Sequence, residues 1–186
     1  MASTVAITKE QYQEIIETMQ SGGNGFRANP RIAAALQLEA NLGLRIGDIL
    51  QLRLADIIRD AGRYRLNITE EKTGKPRTFT VPAEVYSWLR DYADANGISK
   101  DQRLFPLTVR AVQKHLKMVC DYLELENVST HSFRKFLATN VYENSGHNIA
   151  LVQTILQHSS PTITRRYIGI STDEVEKALI NNVNLI

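Results

Sequence analysis

One segment of this chain rules out a purely helical bundle. Residues 63–82, RYRLNITEEKTGKPRTFTVP, alternate apolar or β-branched residues with polar ones on both sides of Thr73 and Gly74. A period of two marks a β-hairpin, because a helix repeats every ~3.6 residues. The turn puts Lys72 and Lys75 at the hairpin tip, and no other segment makes a convincing sheet. Everything around it has helical spacing. Thr8 and Gln11 form a capping box that opens a helix to about residue 20, with Ile15, Ile16 and Met19 on one face. After a break over 21–29, an apolar helix is expected over 30–41. It ends at Gly43, which suits a left-handed C-terminal position. Residues 44–52 restart helically, so Arg45 opens a new helix with Asp48 one turn on. Further helices are expected over 83–95, 109–125, 132–143 and 149–156, with a short turn over 162–167. After Ser171 the pair Ser171 and Glu174 repeats the capping pattern, and Val175, Leu179 and Val183 make an apolar stripe. The expected fold class is mainly α with a small antiparallel β-hairpin/sheet (α+β), a helical body carrying one hairpin.

A length of 186 residues suits one domain over 1–186 with a sizeable core. No apolar run approaches the roughly 20 residues that span a bilayer, and the opening MASTVAITKEQYQ lacks the order of a secretory signal. The single Cys120, within VCDYL, cannot form an internal disulfide and reads as a packed small hydrophobe. A reducing cytoplasm with no membrane partner is the expectation. The formal charge of +2 is too small to diagnose a nucleic-acid binder, because a net value hides clustering. Lys72, Lys75 and Arg77 share one short segment, Arg134 and Lys135 are adjacent, and Arg165 and Arg166 precede Tyr167. Each cluster alone is an ordinary solvated face, but all of them coincide with residues suited to chemistry.

Those residues are Arg45, His131, Arg134, His158 and Tyr167. An anionic phosphodiester repels a nucleophile, and its pentavalent transition state carries more charge still, so something positive must be fixed beside it. Magnesium on a carboxylate cluster is the usual solution. No convincing cluster exists here: Asp56 and Asp60, one helical turn apart, sit among Arg53 and Arg59, and Glu70 and Glu71 lie beside Lys72. No metal or other cofactor is therefore expected, and Arg45 and Arg134 are the better candidates, since a guanidinium stays charged and can bind two phosphate oxygens. His131 and Arg134, three apart, share a helical face if that helix begins before Ser132. Taken singly, each of these residues has an ordinary explanation: a surface arginine paired with Asp48, a capping histidine, a half-buried tyrosine.

Their order along the chain is not ordinary. EANLGLRIGDILQLRLADI, with Gly43, Arg45, Asp48 and Leu52, resembles the first arginine box of the tyrosine recombinases, the phage-integrase family. THSFRKFLAT is similar to the second box, and LQHSSPTITRRY to the third, with Tyr167 nine positions after His158. The resemblance covers nearly the whole chain. It implies that Arg45 and Arg134 grip a scissile phosphate while His131 and His158 donate to its oxygens or assist proton transfer, and that Asp48 orients the first arginine. Tyr167 would attack phosphorus, giving a 3′-phosphotyrosyl bond. Lys72 would be the general acid for the leaving 5′-oxygen. Lys75 competes for that role, and Lys72 is preferred because KTG is a form often seen in integrase hairpins. Lys75, Arg77, Lys135, Arg165 and Arg166 would contact DNA. Implied partners are double-stranded DNA, further copies of the chain (dimer to tetramer on DNA) and accessory DNA-binding proteins.

Departures from the pattern are Lys135, where histidine commonly follows the second-box arginine, and Gln157, where glycine often precedes the third-box histidine. About 29 residues precede Pro30, too few for the N-terminal DNA-binding domain that completes the clamp in these proteins. The expectation is an excised catalytic domain or a naturally short member comparable to the fimbrial phase-variation recombinases. Half a clamp predicts weak, salt-sensitive DNA binding. The tail over 171–186 is expected to fold back on its own core or to pack into a neighbouring subunit. Type IB topoisomerase-like relaxation and a non-catalytic DNA-binding role remain alternatives; His131, where relaxing enzymes commonly have lysine, favours recombination.

Overall fold

A computed structural model describes residues 4–72, 74–169 and 180, apart from the Arg166 side chain. The expected helical tail after Ser171 lies outside the described residues except Ile180. Eight helices surround one small sheet among the described residues: α1 Lys9–Ser21, α2 Pro30–Leu42, α3 Ile46–Gln51, β1 Ile57–Asp60, β2 Arg63–Thr69, β3 Pro76–Val81, α4 Ala83–Ala95, α5 Val109–Tyr122, α6 Thr130–Asn144, α7 Ile149–Leu156 and α8 Pro161–Tyr167.

The local chemistry explains most boundaries. The Thr8 hydroxyl accepts from the Gln11 amide at 3.2 Å and the Gln11 side chain accepts from the Thr8 amide at 3.0 Å, so the capping box opens α1. Asn29 caps α2 by accepting from the Ile32 amide, with Pro30 at the first helical position. Gly43 ends α2 with φ 60°, the left-handed conformation. A Cβ there would lie 2.7 Å from Leu137 Cδ2 and 3.1 Å from Leu156 Cδ2, so α6 and α7 pack directly onto this turn. α2 is buried along most of its length, from Ile32 to Leu42, and packs against α1, α3 and α6. Side chains such as Leu36 and Leu38, at 0% and 1% exposure, each stabilise the fold by about 1.5–3 kcal/mol on burial. A smaller cluster of Ala138, Val152 and Leu156 lies between α6 and α7, with Tyr167 and Ile168 against it.

The sheet has antiparallel order β1-β2-β3. The expected hairpin is β2 and β3, with Leu66 opposite Phe79 and Ile68 opposite Arg77. β1 adds a third strand to the expected hairpin. Asp56 closes a short 3₁₀ turn and Asp60 ends a strand, so the two are not one helical turn apart. Four residues with one buried position are too few to display a period. The connecting pair Ala61 and Gly62, at φ 47° and 78°, is the two-residue turn that tight hairpins use. Two helix ends also differ. α5 stops at Tyr122 before Glu124, whose φ is 56°. α6 starts at Thr130, with the Ser132 hydroxyl accepting from the Ser129 amide at 3.1 Å. The expected turn over 162–167 is the helix α8, capped by Ser160.

Candidate active site

Four segments converge at the end of α2. Arg45 is the N-cap of α3, placed by the Gly43 turn, and its side chain is 22% exposed. The hairpin closes beside it: the Glu70 amide donates to the Lys75 carbonyl at 2.9 Å and the Gly74 amide to the Glu70 carbonyl at 2.8 Å. Lys72 and Lys75 are both exposed at that tip. Because α6 begins at Thr130, His131 and Arg134 lie one turn apart on its opening face. His158 follows the left-handed Gln157 at the end of α7, and Tyr167 closes α8. One cleft of about 260 Å³ is lined by Arg45, Lys72, His131, Arg134, His158 and Tyr167 together.

Arg134 ties the segments to one another. It is 1% exposed; its Nη1 donates to the Gly43 carbonyl, and its Nη2 to the Leu156 carbonyl at 2.6 Å. Burial pushes its guanidinium down to about 10, still a cation at neutral pH. The Tyr167 hydroxyl lies 3.2 Å from His131 Nδ1. Its ring meets the His158 ring edge-on at 4.7 Å between centroids. His158 Nδ1 is 3.1 Å from the Thr164 hydroxyl, which fixes the imidazole against α8.

Burial raises the Tyr167 phenol above its ordinary value, against the pull of Arg134 and Arg45. The phenol is protonated at neutral pH and needs an acceptor as it attacks. Burial lowers His131, and the charges of Arg134, Lys72, Arg45 and Lys135 add to the effect. A neutral imidazole with its proton on Nε2 leaves Nδ1 to accept from the phenol. His158 is pushed down to about 4, first by burial and then by Arg134. It is a neutral hydrogen-bond donor rather than a charge. The arrangement can hold an anion beside a tyrosine with a proton acceptor at hand.

Three residues stand differently from their expected places. Asp48 Oδ1 accepts from the Glu71 amide at 2.9 Å, so this buried carboxylate docks the hairpin onto α3. The carboxylate partner of Arg45 is Glu70, at 2.5 Å. Arg77, expected on DNA, is 1% exposed, paired with Glu70 at 2.9 Å and donating to the Ile155 carbonyl at 2.6 Å. Lys135 donates to the Thr4 carbonyl and stands 5.6 Å over the Tyr167 ring. Arg165 is exposed on α8, while the Arg166 side chain lies outside the described residues. Glu70, 2% exposed, is the site residue that the motifs do not reveal. Strand parity carries the signal, because Leu66, Ile68 and Glu70 point to one face of the hairpin, and Arg77, Phe79 and Val81 face them. Among the described residues, no group of three His, Cys, Asp or Glu side chains is placed to hold a metal ion.

The model of the "Phage integrase family" matches residues 6–174. The chain belongs to the phage integrase family. Within it, the probable integrase/recombinase YoeC of Bacillus subtilis (strain 168) is 34% identical over 143 residues, covering 74% of this chain and 77% of the relative. Other curated relatives are longer: the chain spans 54% of a probable integrase/recombinase of Acholeplasma phage L2 and 44% of a tyrosine recombinase XerC of Caldanaerobacter subterraneus. Among solved structures, the catalytic domain of bacteriophage HP1 integrase shares the fold with a TM-score of 0.65 at 20% identity, covering 97% of this chain and 96% of that one. The integrase-family fold is thus shown for the helical body and its small sheet.

Proposed function

We propose that this integrase-family domain cuts and rejoins double-stranded DNA at specific sites through a 3′-phosphotyrosyl intermediate. The observation that carries the reading is the convergence of Arg45, Lys72, His131, Arg134, His158 and Tyr167 on one cleft. A scissile phosphate seated there meets two guanidiniums, which neutralise its non-bridging oxygens and the charge that grows on them in the transition state. His158 donates to one of those oxygens as a neutral imidazole. Tyr167 Oη forms a bond to phosphorus while its proton passes to His131 Nδ1, 3.2 Å away. The bond from phosphorus to the 5′-oxygen breaks, and Lys72 supplies the proton that the oxygen takes. Lys75 shares the tip and is the second candidate for that step.

The phosphoester bond is kept in the intermediate, so a 5′-hydroxyl of another strand reverses the step without ATP. Exchange between two duplexes then requires several copies of the chain on DNA. We assign that role to a dimer or tetramer; proteins that share this fold include a lambda integrase dimer bound to a core site. Lys75, Lys135, Arg165 and Arg166 are proposed to contact DNA near the cleft, and accessory DNA-binding proteins to help assemble the complex. Arg77, held inside, is left out of that set.

A nicked duplex that traps cleavage by losing its short 5′-hydroxyl strand tests the reading. Incubated with candidate sites, the wild-type chain is expected to form a denaturation-resistant protein–DNA adduct and Tyr167→Phe none. Plasmid relaxation with no recombinant product would instead favour a topoisomerase.

A further inference from the structure

Glu70 is an unusual residue for a cleft that receives a phosphate. Its carboxylate is 2% exposed and lines the cleft beside Arg45 and Arg134. A negative charge there opposes an incoming anion, so its burial must serve something else. Both oxygens are engaged: Oε2 meets Arg45 Nη1 at 2.5 Å and Oε1 meets Arg77 Nη1 at 2.9 Å. Arg77 is in turn anchored on the Ile155 carbonyl near the end of α7. The Glu70 backbone closes the hairpin turn through Lys75 and Gly74. A carboxylate held at both oxygens, on a residue whose backbone is also fixed, cannot swing. It therefore holds one edge of the Arg45 guanidinium while Arg45 lines the cleft.

We infer that Glu70 is a positioning residue for Arg45, fixing the guanidinium in the orientation that meets the transition-state phosphate. The inference rests on the proposed DNA-cleaving reading of the cleft. The cost to phosphate binding and the gain to chemistry then have opposite signs, which a merely structural role would not produce.

Glu70→Gln removes the charge and keeps the shape. Single-turnover adduct formation on the nicked duplex, measured over a range of DNA concentrations, separates the two effects. At saturating DNA the rate is expected to fall on the order of 10- to 100-fold, the scale of a small misplacement of a catalytic group. The half-saturating DNA concentration is expected to stay level or to fall. Glu70→Asp, which keeps the charge near Arg77 and draws the carboxylate back from Arg45, is expected to lose rate with binding unchanged. It also serves if Glu70→Gln does not fold. A rate within twofold of wild type in the folded variants overturns the inference, and so does a rate loss accompanied by weaker DNA binding. A wild-type chain that forms no adduct at any site would remove the functional reading and this inference with it.

Discussion

Arg134 sits at 1% exposure and binds carbonyls from two other segments, Gly43 before α3 and Leu156 at the end of α7. One side chain thereby fixes the distance between the first and third boxes. Arg134→Ala leaves both carbonyls unpaired, at about 1–3 kcal/mol each, and lowers the urea midpoint as well as activity. Arg134→Lys keeps the charge and loses the fork, so it is expected to recover less than half of that stability. The two histidines give a pH signature. His158 is held at about 4 in the fold and His131 is also lowered, against an unfolded value of about 6.5. The unfolded chain therefore binds more protons below about pH 6.5, and stability rises with pH across that window. The stabilisation is complete above about pH 6.5 and is lost as pH falls toward about 4. Buried Glu39, whose carboxyl is raised well above its ordinary value by burial, pulls the other way as pH falls, so the histidine share is read from the difference: His158→Gln is expected to lose less of its thermal midpoint than wild type between pH 7 and 4.

At the scale of elements, the α2–α3 turn decides where Arg45 stands. Gly43→Ala places a Cβ 2.7 Å from Leu137 Cδ2 at a φ of 60°, combining a backbone penalty with overpacking. A loss of about 2–4 kcal/mol is expected by chemical denaturation. Elements with strong punctuation were legible in the sequence: the Thr8 box, the Pro30 start and Gly43 stop of α2, and the α7 span over 149–156. The hairpin was legible because both arms alternate. β1 was not, because IIRD is too short to show a period and takes its identity from pairing with β2. Box order was enough to gather the cleft side chains. It could not assign Glu70, whose role appears only when the hairpin folds its inward face over Arg45. Asp48 lies near enough to Arg45 in sequence to suggest an ion pair, yet its oxygen is committed to the Glu71 amide. Spacing along a helix says which residues are neighbours and not which partner from elsewhere arrives first.

For the whole molecule, the cations Arg45, Lys72, Lys75 and Arg134 gathered on one cleft imply a binding term dominated by phosphate neutralisation. If six or more phosphates are contacted, affinity for duplex DNA is expected to fall roughly 10³-fold or more between 50 and 200 mM salt, checked by fluorescence anisotropy. A shallow slope would mean that few cations face the duplex. The proposed chemistry stands on one atom, the Tyr167 hydroxyl, set 3.2 Å from His131 and beside Arg134 in a shared cleft. The most direct test is to trap the covalent adduct on nicked DNA, digest it, and locate the nucleotide-bearing peptide by mass spectrometry. A nucleotide joined through its phosphate to Tyr167 is expected on the α8 peptide. An adduct on any other residue, or one that persists in Tyr167→Phe, would contradict it.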